Sequence, residues 1–191
     1  MAKPKDLELR LERAEMELRL VQRLSRILVS DIPIDLALSK IVSLVVEYLR
    51  CDSCLIYRLE DSELVLCASN RQGAAAMGNV RLKLNEGLTG WVARERRLLA
   101  IFREAYRDPR FKAFSNLPED TFEAFLSAPL LSRSGVVGVI NVQHREPHTH
   151  TGAEMELLTT VGELTGTLIE LARGLIERRE LSLTGTPPVN N

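Results

Sequence analysis

The sequence predicts an α+β protein built on an antiparallel sheet, and three observations carry that prediction. Apolar residues recur at helical spacing at both ends of the chain. Through the middle they recur at spacing two, and the segments at spacing two are joined mostly by short turns, which connect antiparallel neighbours. With 191 residues, 45% of them hydrophobic and 27% charged, the chain is long enough for one full core with helical extensions, and its composition is that of a globular protein.

The elements follow in order. Leu7, Leu11, Ala14, Leu18, Val21, Ser25 and Leu28 advance by alternating steps of four and three, a heptad stripe with one polar lapse, so residues 1–30 read as an amphipathic helix for dimerisation and signalling. Asp31 and Pro33 break it, and Ile34 to Leu49 resumes helical spacing with Pro33 at the tolerated first turn. Ser53–Leu59 and Glu63–Ala68 form a hairpin about Glu60-Asp61-Ser62, and Asn79–Leu84 alternates as a strand with one wet face. Gly87–Ala93 is a glycine-led helix start, Leu98–Phe102 a short strand, and Arg103–Asp120 a polar, proline-punctuated region. Phe125–Leu131 and Val136–His144 form the clearest hairpin, with Gly135 at its turn. Thr151-Gly-Ala-Glu154 has the form of a capping box and opens a last helix carrying Leu157, Leu158, Val161, Leu164, Leu168, Leu171 and Leu175. Thr184–Asn191 reads as a disordered tail. The domain therefore spans 31–173, with 174–191 as helix end and tail. Both terminal helices are longer than one domain face needs. Leu7, Leu11 and Leu18 with Leu168, Leu171 and Leu175 are expected to bury their stripes in a parallel homodimer, as a four-helix bundle from the two termini of each protomer.

Composition excludes some functions. A formal net charge of -1 gives no global reason to expect nucleic acid or an anionic membrane as partner. Stretches free of charge reach about ten residues, short of a bilayer span, and Met1 to Lys5 runs into a charged segment rather than an apolar signal. A cytoplasmic location is expected, with Cys51, Cys54 and Cys67 as thiols. Cys51-x-x-Cys54 lies where a helix gives way to a strand, the reverse of a redox motif, and reads as packing. His144, His148 and His150 form H-x3-H-x-H between the last strand and the last helix. Such histidines can converge on a metal, but Glu146 is the one carboxylate among them and the cap at Thr151 already accounts for the local geometry, so no metal is expected. P-loop, Rossmann, H-E-x-x-H and G-x-S-x-G motifs are absent, and no enzyme is expected.

Local charge is more informative. Between Arg94 and Lys112 lie seven basic and three acidic residues, a formal +4, together with Trp91, Phe102, Tyr106, Phe111 and Phe114 in the same region, five of the nine aromatics. Ring faces beside cations such as Arg110 suit a planar or anionic small molecule. The bland alternative is a solvated basic face with aromatics anchoring an irregular lobe. Glu119, Asp120 and Glu123 follow at once, against a nucleic-acid surface. Asn141 and Gln143 share a strand face with Val137 and Val139, and are candidate polar contacts if theirs is the cavity face.

Asn85-Glu-Gly-Leu-Thr-Gly-Trp-Val-Ala93, Ala105-Tyr-Arg-Asp-Pro-Arg-Phe111, and Ser127-Ala-Pro-Leu-Leu131 followed by Gly135-Val-Val-Gly-Val-Ile-Asn-Val-Gln143 resemble the motifs of a GAF domain. Gln143 to Pro147, read as Gln-x-Arg-Glu-Pro, is most similar to the regulatory GAF domain of nitrogen-related phosphotransferase enzyme I. The resemblance implies a central antiparallel sheet, helices from both termini on one face, and a ligand cavity on the other roofed by the segment from Gly87 to Phe125. It also implies a small-molecule sensor signalling through dimerising helices. As no output domain follows the closing helix in this sequence, an output protein in trans is expected. The signature that accompanies cyclic-nucleotide binding is absent, as is the Cys-His pair of phytochrome-type chromophore attachment. Thr89 stands where GAF-fold free methionine sulfoxide reductases want a cysteine, so a sensor is expected and not that enzyme. The ligand and any cofactor remain unassigned. The competing expectation is a dimerisation or interaction module whose cavity is filled by its own side chains.

Overall fold

Helical and alternating spacing resolve into eleven elements in the computed structural model, which describes residues 4–71, 76–111 and 122–184. They are α1 (Pro4–Leu28), α2 (Ile34–Leu49), β1 (Ser53–Glu60), β2 (Glu63–Ser69), β3 (Arg81–Lys83), α3 (Gly87–Glu95), β4 (Leu99–Ile101), a 3-10 turn (Ala105–Arg107), β5 (Ala124–Ser132), β6 (Gly135–His144) and α4 (Gly152–Thr184). The strands form one antiparallel sheet in the order β3-β2-β1-β6-β5-β4. The class is α+β, as expected.

Two layers cover the sheet because its central strands are apolar on both faces. On one side Ile56, Leu126, Leu130, Ile140 and Val142 pack against Leu38, Ile41, Val42 and Val45 of α2, Leu158, Val161 and Ile169 of α4, and Leu20 and Leu24 of α1. On the other, Leu55, Tyr57, Leu66 and Val139 meet Val92 and Ala93 of α3. The buried side of α1 is thus Leu20 and Leu24, with Ile27 packed behind them. Leu7, Leu11, Leu18 and Val21, on the heptad stripe, are exposed.

Turn chemistry fixes the register. The β1–β2 hairpin closes through Asp61 (φ 45) and Ser62 (φ 73), two consecutive left-handed residues that match the twist of the strands without glycine. One bulge follows: Ile56 faces Ala68 while Tyr57 faces Leu66, and the intervening Cys67 donates its Sγ–H to the Ile56 carbonyl at 3.2 Å. The β5–β6 turn is held from outside, since the Glu170 carboxylate of α4 accepts the Arg133 and Ser134 amides at 3.2 and 3.1 Å. The strand expected over Asn79–Leu84 shrinks to Arg81–Lys83. Its first residues instead make a turn at Gly78 (φ 76), where the Gly78 amide donates to the Leu66 carbonyl at 2.8 Å and the Leu66 amide donates to Val80 at 2.9 Å. The capping box forms as read, with the Thr151 amide donating to Glu154 Oε2 at 2.6 Å and the Glu154 amide to Thr151 Oγ1 at 3.3 Å. The tail from residue 185, and Phe114 among the candidate ligand residues, lie outside the described residues.

Helix α4 crosses β5 at its glycines. A Cβ at Gly162 would meet the Pro129 carbonyl oxygen at 2.8 Å, and one at Gly166 the Leu131 carbonyl oxygen at 2.2 Å. Backbone cannot yield as a side-chain tip can. Gly166→Ala is expected to cost at least about 1–3 kcal/mol by overpacking, seen as a lower urea midpoint with an unchanged m-value.

Candidate functional site

The α3 face is assembled from the glycine-led helix start. Gly87 takes φ 68, a conformation glycine adopts without strain, and Gly90 lets α3 approach β3 so closely that a Cβ would stand 2.6 Å from the Lys83 carbonyl oxygen. This places Thr89 over the sheet. Asn141 of β6 donates from Nδ2 to Thr89 Oγ1 at 2.8 Å, and Ser127 of β5 donates from Oγ to Asn141 Oδ1 at 2.7 Å. Asn141 therefore does point toward α3, but it is 2% exposed and joins two protein hydroxyls. Gln143, two residues on, is half-buried and pairs with Ser53 and Phe125 across the sheet.

The aromatic and basic residues divide into separate contacts. Trp91 packs against the α3-side core, and the Arg110 guanidinium lies 4.7 Å from its ring centroid. Arg110 is also held by Asp108, Nε to Oδ1 at 2.8 Å and Nη2 to Oδ2 at 2.7 Å. That bidentate bond holds the Asp108 carboxyl below, and the Arg110 guanidinium above, its ordinary range. Phe102 is exposed beneath Arg103, and Tyr106 stacks with Arg107. Phe111 is 37% exposed. Trp91 and Arg110 come together, whereas Phe102, Tyr106 and Arg110 each have a different close cation or ring.

A groove of about 480 Å³ lies elsewhere, between α2 and the outer strands, lined by Asp35, Ser39, Arg58, Glu60, Cys67 and Arg81 among others. Arg58 is bonded within it to Glu60, so the two charges largely neutralise each other. The i,i+2 placement of Arg58 and Glu60 on β1 was the one signal for this polar strand end. Cys51 and Cys54, which flank the start of β1, are buried and Cys67 is half-buried, and desolvation pushes the Cys51 and Cys67 thiols up to about 12 and Cys54 well above its usual range. Such thiols stay protonated at neutral pH.

The three histidines do converge. His144 ends β6, and its ring stacks on His148 with centroids 4.1 Å apart, while His150 lies 5.6 and 4.9 Å from the two. Burial and the neighbouring imidazoles hold His144 below its usual range and bring His150 down to about 4. Spacing alone had left this arrangement open.

The sequence profile described as GAF domain matches residues 33–169. The chain belongs to the GAF domain family. Its sequence is 24% identical over 180 residues to the Nif-specific regulatory protein of Azospirillum brasilense, covering 91% of this chain but 29% of that protein. The chain thus spans less than a third of the length of that relative. The GAF domain of the Acinetobacter phosphoenolpyruvate-protein phosphotransferase is 25% identical, with a TM-score of 0.74, covering 87% of this chain and 98% of that one. The free methionine-R-sulfoxide reductase of Neisseria meningitidis, solved with its substrate, shares the fold at 16% identity, with a TM-score of 0.69 over 86% of this chain and 93% of that one. GAF domains are a signalling and sensor family, and the resemblance to the phosphotransferase GAF domain seen in the motifs holds in three dimensions.

Two outcomes are expected at these sites. Asn141→Ala strands the buried Thr89 and Ser127 hydroxyls and should cost about 1–3 kcal/mol, and in a double-mutant cycle with Thr89→Val the losses should be less than additive. Native thiols should react slowly with Ellman's reagent at pH 8, and all three should react promptly in guanidinium.

Proposed function

We propose that this GAF domain is a dimeric, non-enzymatic sensor that binds a small molecule on its α3 side and passes the state of that side to the terminal helices. The observation that carries the reading is the apolar surface left on those helices. Leu7, Leu11 and Leu18 of α1 are 62%, 60% and 58% exposed, and Leu171 and Leu175 of α4 are 61% and 63% exposed. Leucines left in water at helical spacing on the two longest helices suit a helical seam between copies. Leu168 is half-buried against its own core, so the α4 part of the seam begins at Leu171. The raised thiols of Cys51, Cys54 and Cys67, and Thr89 bonded to Asn141, support a role without thiol chemistry. A cytoplasmic location and an output protein acting in trans belong to the same proposal. Among the described residues no helix is long and apolar enough to cross a membrane.

A second reading has its own support. With Asn141 engaged by Thr89 and Ser127, and Arg110 by Asp108, two of the polar groups available to a ligand are already satisfied. On that reading the module dimerises and docks its partner without a metabolite. Native mass spectrometry of the purified chain separates the two. A dimer carrying a small molecule is expected for the sensor, and an empty dimer favours the docking module. Leu11→Glu with Leu18→Glu should give monomers with unchanged far-UV circular dichroism. A strictly monomeric wild-type chain at micromolar concentration contradicts both readings.

A further inference from the structure

His144, His148 and His150 meet where the ends of β4, β5 and β6 adjoin the first turn of α4. Each is fixed by its backbone surroundings. The Glu123 amide donates to the His144 carbonyl at 2.9 Å, the His148 amide donates to the Phe102 carbonyl at 2.9 Å, and His150 directly precedes the Thr151 cap. One ring nitrogen from each of the three lies within 4.8 Å of one from each of the others. A tetrahedral zinc bound at about 2.0–2.1 Å keeps its nitrogens about 3.3 Å apart, so modest ring rotations bring the three onto one ion.

Two further observations point to a cation. His150 is 9% exposed, and its Nε2 is buried without a hydrogen-bond partner. A buried ring nitrogen with no protein partner is available to a metal ion as an electron-pair donor. His148 contacts Glu154 Oε1 through Nε2 at 3.2 Å, and the other Glu154 oxygen is anchored by the Thr151 amide and hydroxyl. With Nε2 against the carboxylate, Nδ1 is the His148 nitrogen left for a metal. An electron-pair acceptor at the centre of the three rings would satisfy the orphaned His150 nitrogen.

We propose that His144, His148 and His150 form a three-imidazole site for a zinc-class divalent cation, with Glu154 as the positioning residue for His148. Three nitrogens and no thiolate favour zinc, cobalt, nickel or copper over magnesium or calcium. His148 is half-buried, which leaves the cluster an approach from solvent. An ion held there ties the first turn of α4 to the strand ends, on the same helix whose C-terminal half carries Leu171 and Leu175.

The test uses the tag-free full chain, stripped with EDTA, dialysed and titrated with zinc against a chromophoric chelator. One equivalent should bind per chain, zinc should raise Tm by several degrees, and cobalt should give the visible bands of a tetrahedral nitrogen site. His148→Gln changes a half-exposed link residue and should lower zinc affinity at least about 100-fold. Glu154→Gln keeps the capping box, which accepts glutamine, and should lower affinity about 10-fold or more with Tm in EDTA unchanged. Absence of stoichiometric uptake by the wild-type chain overturns the site. So does uptake that survives both His148→Gln and His144→Gln, or that is lost in Cys51→Ser instead.

Discussion

At Gly162 and Gly166 the backbone of α4 rests on the backbone of β5, leaving no space for a methyl group between helix and strand. That contact sets the geometry of the helical layer. It holds Leu158, Val161 and Ile169 against the sheet, and it brings Glu170 to the β5–β6 turn, whose amides it accepts. Farther along, Arg173 donates from Nη2 to the Leu59 carbonyl at 2.9 Å. With its middle fixed, α4 has two ends that can report on something else. Its first turn adjoins the histidine cluster, and its C-terminal half carries the exposed Leu171, Leu175 and Ile176.

The opposite face of the sheet is organised by a polar contact instead. Asn141 draws Thr89 of α3 and Ser127 of β5 together inside an otherwise apolar layer. Buried polar groups that satisfy one another in this way hold a helix in one position more sharply than apolar packing does. Around this pin each of the three acidic residues of the basic stretch is matched to a cation: Arg110 with Asp108, beside Trp91, Arg94 with Glu95, and Arg107 with Glu104. The formal charge of +4 read from the sequence therefore rests on Arg96, Arg97, Arg103 and Lys112, the cations left once those three acids are matched.

Much of this was legible in the residues. The boundaries of α2 and the β5–β6 hairpin follow from periodicity and from Gly135 because those segments have one apolar pattern each. Helix α1 has two. Leu7, Leu11 and Leu18 make a heptad stripe while Leu20 and Leu24 make a shorter one, and it is the shorter that meets the core. Spacing along a helix ranks neither above the other without knowledge of what faces it. Long-range polar partners were similarly hidden. Thr89 and Asn141 are 52 positions apart, so Thr89 could be read as a missing cysteine but not as a hydrogen-bond acceptor. Arg110 could be read as a cation near rings, whereas its bond to Asp108 depends on the 3-10 turn that precedes them. The histidine spacing was visible, and its convergence was not, because it depends on where β6 ends relative to the α4 cap.

The central claim is that α4 is rigid in its middle and responsive at its ends, with its exposed end at a seam between copies. Hydrogen exchange of the full chain, followed by mass spectrometry across a range of protein concentrations, tests this most directly. Amides of residues 157–170 should exchange slowly at every concentration, whereas protection of residues 171–176 should rise as concentration rises. Fast exchange of 171–176 that is indifferent to concentration, or fast exchange across the Gly162 to Gly166 contact, would contradict it.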